Sequence, residues 1–201
     1  MITRIIVSTD SQKIANLAIK LGAEIPFIRP KKISHDCASG YDVIQHAVRF
    51  LLEKESYVPD IITILQPTSP IRTSEMIDRS INLLKKNNCT SVISVSSVKS
   101  HPDIIFRYNK KHLRPLNKNF EKYSTRQSRS KLYGPTGSIY TFWHKTLKNY
   151  NSMYGPRIKP LIIKEQEFNT DIDVPFDLFI SEMTMLYWKK FKRKFQNKKK
   201  L

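Results

Sequence analysis

Short apolar runs alternate with amphipathic stretches along the first hundred residues. Ile61 to Leu65 is a continuous apolar run, typical of a strand buried on both faces, and Ser91 to Val98 predicts another strand. Elsewhere apolar residues recur at intervals of three and four, which predicts helices. This alternation favours a parallel sheet sandwiched by helices. The pattern therefore predicts an α/β fold with a Rossmann-like, mostly parallel sheet and helices on both faces.

Individual elements are predicted from apolar spacing and from the residues that bound them. The first helix follows Ser11 and ends at Gly22, and its expected core face comprises Ile14, Leu17, Ala18 and Leu21. Further helices are expected from Gly40 onward, over 74–86 with Ser74 as a cap, and over 176–190. Strands are expected at 4–8, 24–28, 61–65, 91–98, 137–142 and 158–163, the last at a sheet edge because it contains Pro160.

The regular rhythm loosens beyond residue 100. Ile105 to Tyr108 reads as one arm of a hairpin, and the polar, basic stretch 117–131 has no strong periodicity. No internal repeat is visible. We therefore expect one domain over residues 1–194, with a hairpin arm at about 103–116, and a basic, disordered tail over 195–201.

The composition suits a globular protein, since 40% of the 201 residues are apolar. No apolar run is long enough to span a membrane, and the first ten residues do not have the pattern of a signal peptide. Cys37 and Cys89 are the two cysteines, and their separation fits neither zinc spacing nor a disulfide framework. We expect two free thiols and a cytoplasmic protein.

The formal net charge of +18 is large, and eight basic residues lie between Lys189 and Lys200. Such a terminus can contact nucleic acid or an anionic membrane, but a solvated lysine-rich end is the favoured interpretation. A basic nucleic-acid or anionic-surface binding protein stays open as an alternative, disfavoured because no base-stacking motif accompanies the basic run. The remaining excess charge is compatible with anionic substrates.

Polar residues at predicted strand ends are the first candidates for chemistry, because open α/β sheets bind ligands there. Gln66, Thr68 and Ser69 follow the strand that ends at Leu65, within the run Leu-Gln-Pro-Thr-Ser-Pro-Ile-Arg-Thr. Their amide and hydroxyl groups suit a polyhydroxylated ligand, and the two prolines restrict the loop. An ordinary turn with a helix cap would also explain this composition.

Two carboxylates form a second candidate. Asp171 and Asp173 are two residues apart, so in an extended segment they point to the same side. Paired hard oxygen ligands suit magnesium bound to a nucleotide. The competing interpretation is that Asp173 caps the last helix. Arg29, together with the loop that ends at Ser39 and Gly40, forms a third and less specific candidate for binding a base or a phosphate.

Taken in order, these segments resemble the acylneuraminate cytidylyltransferases. The resemblance covers roughly residues 3 to 183, and the run from Leu65 to Thr73 is its most specific part. The other matching segments are Ser-Thr-Asp-Ser, Phe-Ile-Arg-Pro, Ser-Gly-x-Asp-Val-Ile-x-His-Ala, Arg-Gln, Gly-Ser-Ile-Tyr and Asp-Ile-Asp. The resemblance implies a fold of the nucleotide-diphospho-sugar transferase type.

The resemblance further implies that the chain transfers CMP from CTP to a nine-carbon, sialic-type 2-keto-3-deoxy sugar acid and releases pyrophosphate. Asp171 and Asp173 would hold Mg2+, while Arg29 and Ser39 match positions that line the cytosine pocket. On the same grounds the sugar would contact Gln66, Thr68, Ser69 and Arg126, the last through the sugar carboxylate. The hairpin resembles a dimerisation arm, so a homodimer is expected.

Three residues depart from the family pattern: Gly40, Gly134 and Thr136 stand where relatives often carry serine, arginine and asparagine. They indicate either a different sugar acid, such as a legionaminic or pseudaminic relative, or loosened function. Another base or an eight-carbon sugar acid is a further alternative. The resemblance also implies that the family's first strand and its glycine-rich CTP-binding loop would precede Met1. Three origins of such a shortened chain are considered: a late start codon or frameshift, a gene fragment, or a split enzyme completed by another chain.

Overall fold

The structure is a computed structural model that describes residues 1–117, 127 and 129–198, with the backbone alone for residue 192 and residues 194–198. Helices alternate with strands along the chain, as the apolar pattern predicts. The helices are α1 (Gln12–Lys20), α2 (Gly40–Glu55), α3 (Ser74–Lys86), α4 (His144–Tyr150) and α5 (Pro175–Lys198). The strands are β1 (Ile61–Ile64), β2 (Ser91–Ser97), β3 (Phe106–Asn109), β4 (His112–Pro115), β5 (Tyr133–Trp143) and β6 (Ile158–Ile162).

Four strands form the main sheet in the order β1-β5-β2-β6. The α/β class is confirmed, and β6, which contains Pro160, lies at an edge as predicted. Strand β1 pairs with β5 in antiparallel register, from Ile61 opposite Trp143 to Ile64 opposite Tyr140. Among the described residues the sheet is mixed, and β1 lies at the edge opposite β6.

The described chain divides into two compact units. Unit 1 comprises residues 1–64, 73–93 and 139–159, and unit 2 comprises 65–72, 94–138 and 160–201. Strands β2, β5 and β6 contribute residues to both. The expectation of a single domain over 1–194 stays a prediction.

A small apolar cluster stabilises unit 1. Ile44 on α2, Phe142 on β5 and Leu147 on α4 are its buried members. Their partly buried neighbours are Tyr41, Val48, Ile62, Ile64 and Met153. On α2, Ile44 and Leu51 are buried and Val48 is partly buried.

Two predicted strands near the start of the chain are wrong. Residues 4–8 and 24–28 meet in a single parallel bridge between Ile6 and Glu24. The amide of Val7 donates to the Glu24 carbonyl at 3.0 Å, and the amide of Glu24 donates to the Ile5 carbonyl at 2.7 Å. A strand requires a ladder of successive pairs, and one bridge does not supply it.

In the predicted core face of the first helix, Ala18 is confirmed, and the three larger apolar residues are wrong. Ile14, Leu17 and Leu21 are 52%, 57% and 78% exposed, whereas Ala15 and Ala18 are buried. The helix packs through its alanine side, because small side chains allow closer approach than the larger apolar residues beside them. Gly22 ends the helix as predicted, with φ of +86°.

Helix α5 is longer than the predicted 176–190 segment. It begins at Pro175 and continues to Lys198, so residues 195–198, expected within a disordered tail, are helical. Lysine, arginine and glutamine are good helix formers, which accounts for the extension. Residues 199–201 lie outside the described part. Each helix in the described part of the chain is either too short or too polar to span a membrane.

The predicted hairpin is present in unit 2. Strands β3 and β4 pair antiparallel, with Phe106 opposite Pro115 and Tyr108 opposite Leu113. Lys110 in the turn has a positive φ of +48°. All eight residues of β3 and β4 are exposed. The hairpin therefore contributes no side chain to the core of the described structure.

Candidate functional site

A polar corner directly after β1 is the centre of the candidate site, and all of it lies in unit 2. Ser69 is 1% exposed. Its hydroxyl lies 3.1 Å from the carbonyl oxygen of Thr136, to which it donates, and 3.5 Å from Oδ1 of Asp171. The structure therefore brings together two predicted residues that are 102 positions apart.

Gly137 on β5 lies between these side chains. A Cβ atom at this position would be 2.7 Å from Oγ of Ser69 and 2.9 Å from Oε1 of Gln66. It would also be 3.6 Å from Oδ2 of Asp171. Gly137 has φ of +75°, a conformation that side chains other than glycine rarely adopt. The absence of a side chain at 137 thus lets an amide, a hydroxyl and a carboxylate approach one another.

The side chain of Arg72 stabilises the backbone of the polar corner. Its Nε donates to the carbonyl oxygen of Ser69 at 3.0 Å, and its Nη2 donates to the carbonyls of Ser69 and Gln66. The amide of Ser69 also donates to the Gln66 carbonyl at 3.2 Å. Burial lowers the pKa of the Arg72 guanidinium from its ordinary value. The guanidinium restrains the turn, so Arg72 is a positioning residue.

The acidic segment is joined to the corner through its backbone. The amide of Ile172 donates to the Thr68 carbonyl at 2.9 Å. This bond fixes the middle of the segment between Asp171 and Asp173, both of which are exposed. Because Thr68 uses its backbone carbonyl here, its exposed side chain is not required for the contact.

The interpretation of Asp173 as a helix cap is wrong. Oδ2 of Asp177, in the first turn of α5, accepts from the amides of Asp173 and Val174 at 3.0 Å each. Pro175, which has no amide hydrogen, occupies the first helical position, as is common. At helix α3 the cap is Thr73 and not the expected Ser74, since the Thr73 hydroxyl accepts from the amide of Met76 at 3.3 Å.

The donor set of the acidic segment fits magnesium. Among the described residues no group of three or more histidine, cysteine, aspartate or glutamate side chains is arranged to hold a metal ion. Asp171 and Asp173 supply two exposed carboxylates instead. Mg2+ commonly takes one or two protein carboxylates and completes its octahedron with waters and substrate phosphates. The chemistry of these residues therefore suits magnesium shared with a nucleotide.

The predicted nucleotide-binding residues lie in unit 1. Nη2 of Arg29 pairs with Oδ1 of Asp10 at 3.6 Å, and its Nε donates to Ser34 at 3.1 Å. The Ser39 hydroxyl accepts from the Tyr41 amide at 3.2 Å and so caps α2. Arg126, the expected partner of a sugar carboxylate, lies outside the described residues.

Arg72 and Gly137 are site residues that the sequence pattern did not identify. A glycine inside a strand pattern often marks close approach of other groups, and that signal was present at Gly137. Arg72 carries no local signal, because its role depends on the carbonyls that the turn presents to it.

The mixed α/β sheet and a polar corner close to a carboxylate are compatible with a nucleotidyltransferase. The family model described as cytidylyltransferase matches residues 1–190, and the chain belongs to this family.

Two curated relatives illustrate the similarity. The CMP-N,N'-diacetyllegionaminic acid synthase of Legionella pneumophila is 32% identical over 184 residues, which is 90% of this chain and 77% of that protein. The N-acylneuraminate cytidylyltransferase of Escherichia coli is 29% identical over 197 residues, which covers 90% of this chain and 42% of that protein.

The fold is also similar to a solved structure. CMP:2-keto-3-deoxy-manno-octonic acid synthetase complexed with CTP superposes with a TM-score of 0.59 at 13% identity, over 92% of this chain and 81% of that one. At this identity the likeness establishes the fold alone.

Proposed function

We propose that this chain transfers CMP from CTP to a nine-carbon, sialic-type 2-keto-3-deoxy sugar acid. The anomeric hydroxyl of the sugar attacks the α-phosphorus of CTP, the bond to pyrophosphate breaks, and the hydroxyl proton is lost. Such reactions depend mostly on positioning and on neutralisation of phosphate charge. A sialic-type acceptor is supported by relatives whose names give N,N'-diacetyllegionaminic acid and N-acylneuraminate.

The observation that carries the proposal is the 3.5 Å approach of the Ser69 hydroxyl to Oδ1 of Asp171. This contact places the Asp171 carboxylate beside the polar corner, and both lie in unit 2. A sugar acid needs hydrogen-bonding partners for its hydroxyls, and a nucleotide triphosphate needs a divalent cation nearby. The corner and the acidic segment supply the residue types for both.

Each side chain then has a distinct role. The exposed side chains of Gln66 and Thr68 bind sugar hydroxyls. Ser69 has little surface left for a ligand, so its main role is to orient Asp171. Asp171 and Asp173 would hold Mg2+, which when bound would neutralise triphosphate charge and lower the pKa of the attacking hydroxyl. Arg29 and Ser39 remain our candidates for the cytosine side, and Arg126 for the sugar carboxylate.

We also propose a cytoplasmic homodimer. CTP is a cytoplasmic substrate, and Cys37 and Cys89 are both free thiols, which suits a reducing compartment. The exposed apolar side chains of the hairpin, among them Phe106, Tyr108 and Leu113, suit burial against a second copy.

Pyrophosphate release with CTP, Mg2+ and a panel of eight- and nine-carbon sugar acids tests the proposal. We expect Asp171→Asn to lower turnover about 100-fold or more, because the metal-binding carboxylate is lost. Glu182→Gln is the matched control, because it removes the charge of an exposed carboxylate on α5. This variant should retain activity.

The 201-residue chain should be assayed beside a form that is extended by any residues encoded in frame upstream. If neither form transfers CMP to any of the sugar acids, the proposal is overturned. Full activity of the Asp171→Asn variant would overturn the assigned site while leaving the reaction intact.

A further inference from the structure

We propose that unit 1 contains an additional binding pocket for the phosphate group of a small phosphorylated molecule, at the start of β2. The cavity has a volume of about 340 Å³, within the range of small-molecule pockets. Its lining includes Asn88, Cys89, Trp143, Lys145, Asn149 and Arg157. None of these residues belongs to the polar corner or the acidic segment, which lie in unit 2, and neither Arg29 nor Ser39 lines the pocket.

Hydrogen bonds made by Thr90 and Thr146 stabilise the floor of this phosphate pocket. Thr90 is 7% exposed, and its hydroxyl oxygen lies 3.0 Å from each of the carbonyl oxygens of Tyr154 and Arg157, so its single proton is shared between them. The Thr146 hydroxyl donates to the Thr90 carbonyl at 2.8 Å. Gly155, with φ of +62°, lets the turn pass against Thr90, since a Cβ atom there would lie 2.7 Å from the Thr90 side chain.

The walls of the pocket carry two exposed cationic side chains with contacts to neutral groups. Nε1 of Trp143 donates to the Cys89 carbonyl at 3.2 Å, which sets the plane of the indole. Nζ of Lys145 lies 5.4 Å from the centre of that ring. Nη2 of Arg157 donates to Oδ1 of Asn88 at 2.9 Å. Both cations are therefore oriented by neutral groups, and their positive charge is preserved.

Positive charge in the pocket is not offset by carboxylates. No lining residue is acidic. Among the described residues, Lys145 and Arg157 form no ion pair. Burial raises the pKa of the Cys89 thiol, and the charges of Lys159 and Arg157 oppose that shift, which places positive potential at the thiol.

The lining chemistry favours phosphate over carboxylate. A guanidinium, an ammonium and carboxamide side chains are nitrogen donors of several geometries, and a phosphate offers three acceptor oxygens in a tetrahedral arrangement. A carboxylate offers two oxygens in one plane. The volume leaves room for a carbon skeleton against Trp143, which is why we infer a phosphorylated small molecule.

Alkylation of Cys89 provides a local test. Cys37→Ser leaves Cys89 as the single cysteine, because the chain has two. Iodoacetamide labelling at pH 8.5 is followed with increasing inorganic phosphate, glucose 6-phosphate or acetate, and with sodium chloride at matched ionic strength. We expect saturable slowing of labelling, at least fivefold, by the two phosphates, and little slowing by acetate or chloride.

Charge-neutral variants complete the test. Protection of Cys89 by phosphate should disappear in the double variant Lys145→Gln/Arg157→Gln. It should persist in the matched control Lys85→Gln/Lys148→Gln, whose two residues do not line the pocket. If the first double variant fails to fold by circular dichroism, Arg157→Gln alone should weaken protection at least fivefold. Equal slowing by chloride, equal protection by acetate, protection that survives the lining variants, or no protection would each overturn the proposal.

Discussion

Ser69 has the most constrained environment of the candidate site, and its neighbours explain why. The Ser69 hydroxyl lies between the Thr136 carbonyl and the Asp171 carboxylate. The backbone carbonyl of Ser69 accepts a hydrogen bond from Arg72. Thr136 is itself anchored, since its hydroxyl donates to Oγ of Ser94 at 2.7 Å. Buried polar groups with partners on several sides are rigid, which suits a residue that orients a carboxylate.

Gly137→Ala should damage this arrangement. The new Cβ atom meets Ser69 and Gln66 below 3.0 Å at a positive φ, so we expect a loss of about 1–3 kcal/mol in the free energy of unfolding. Any CMP transfer should show a raised KM for the sugar acid. Denaturant titration and initial-rate kinetics measure the two effects.

Gly134→Ala is the matched control on the same strand. A Cβ atom there would lie 3.6 Å from Cγ1 of Val98, an ordinary contact, and no positive φ is required. It should change stability by less than about 0.5 kcal/mol apart from the usual glycine entropy effect. Equal losses in the two variants would contradict the close-approach role of Gly137.

At the scale of elements, helix starts are determined by local polar side chains. Ser11, Ser39 and Thr73 each accept from a backbone amide in the first turn of α1, α2 and α3. Helix α2 also carries His46, whose ring packs edge-on against Phe27 with centroids 4.7 Å apart. Among the described residues, Nδ1 of His46 is buried without a hydrogen-bond partner.

Stability should fall as pH decreases because of His46. Burial, followed by the charges of Lys32 and Arg49, lowers the pKa of His46 below its ordinary value. The unfolded chain then binds a proton at higher pH than the folded one. The contribution is present above about pH 6.5 and is lost as pH falls through the folded pKa.

Urea denaturation at pH 8 and at pH 5 measures this dependence. His46→Leu should show a smaller decrease in the midpoint between the two pH values than the parent chain. His112→Gln, on exposed strand β4, is the control and should keep the parental decrease. An unchanged pH dependence in His46→Leu would show that other groups are responsible.

At the scale of the whole molecule, the hairpin determines the expected assembly. Tyr108 and Leu113 are cross-strand partners and are 70% and 63% exposed. Replacing both with serine should convert a dimer into a monomer, because apolar surface no longer becomes buried on association. Light scattering coupled to size exclusion gives the mass directly.

Ile19→Ser is the control for this experiment, since Ile19 is 56% exposed on α1 in unit 1. It should leave the dimer intact. A parent chain that is monomeric at tens of micromolar, or a double hairpin variant that still dimerises, would rule out the proposed assembly.

Much of this architecture can be read from neighbouring residues. The α3 helix at 74–86, the hairpin and the edge position of β6 follow from periodicity, caps and proline, which act within a few residues. The corner at Gln66 to Ser69 was predicted in the same way, since a buried strand ends there and prolines bound it.

Long-range pairing decided the rest. The meeting of Ser69 with Asp171, the antiparallel pairing of β1 with β5, and the alanine-side packing of α1 each depend on which distant segment lies alongside. Local pattern cannot choose among distant partners of similar polarity, because the free energy of each contact depends on the complete packing around it. The roles of Arg72 and Gly137 depend on that packing too, and so they appeared only in three dimensions.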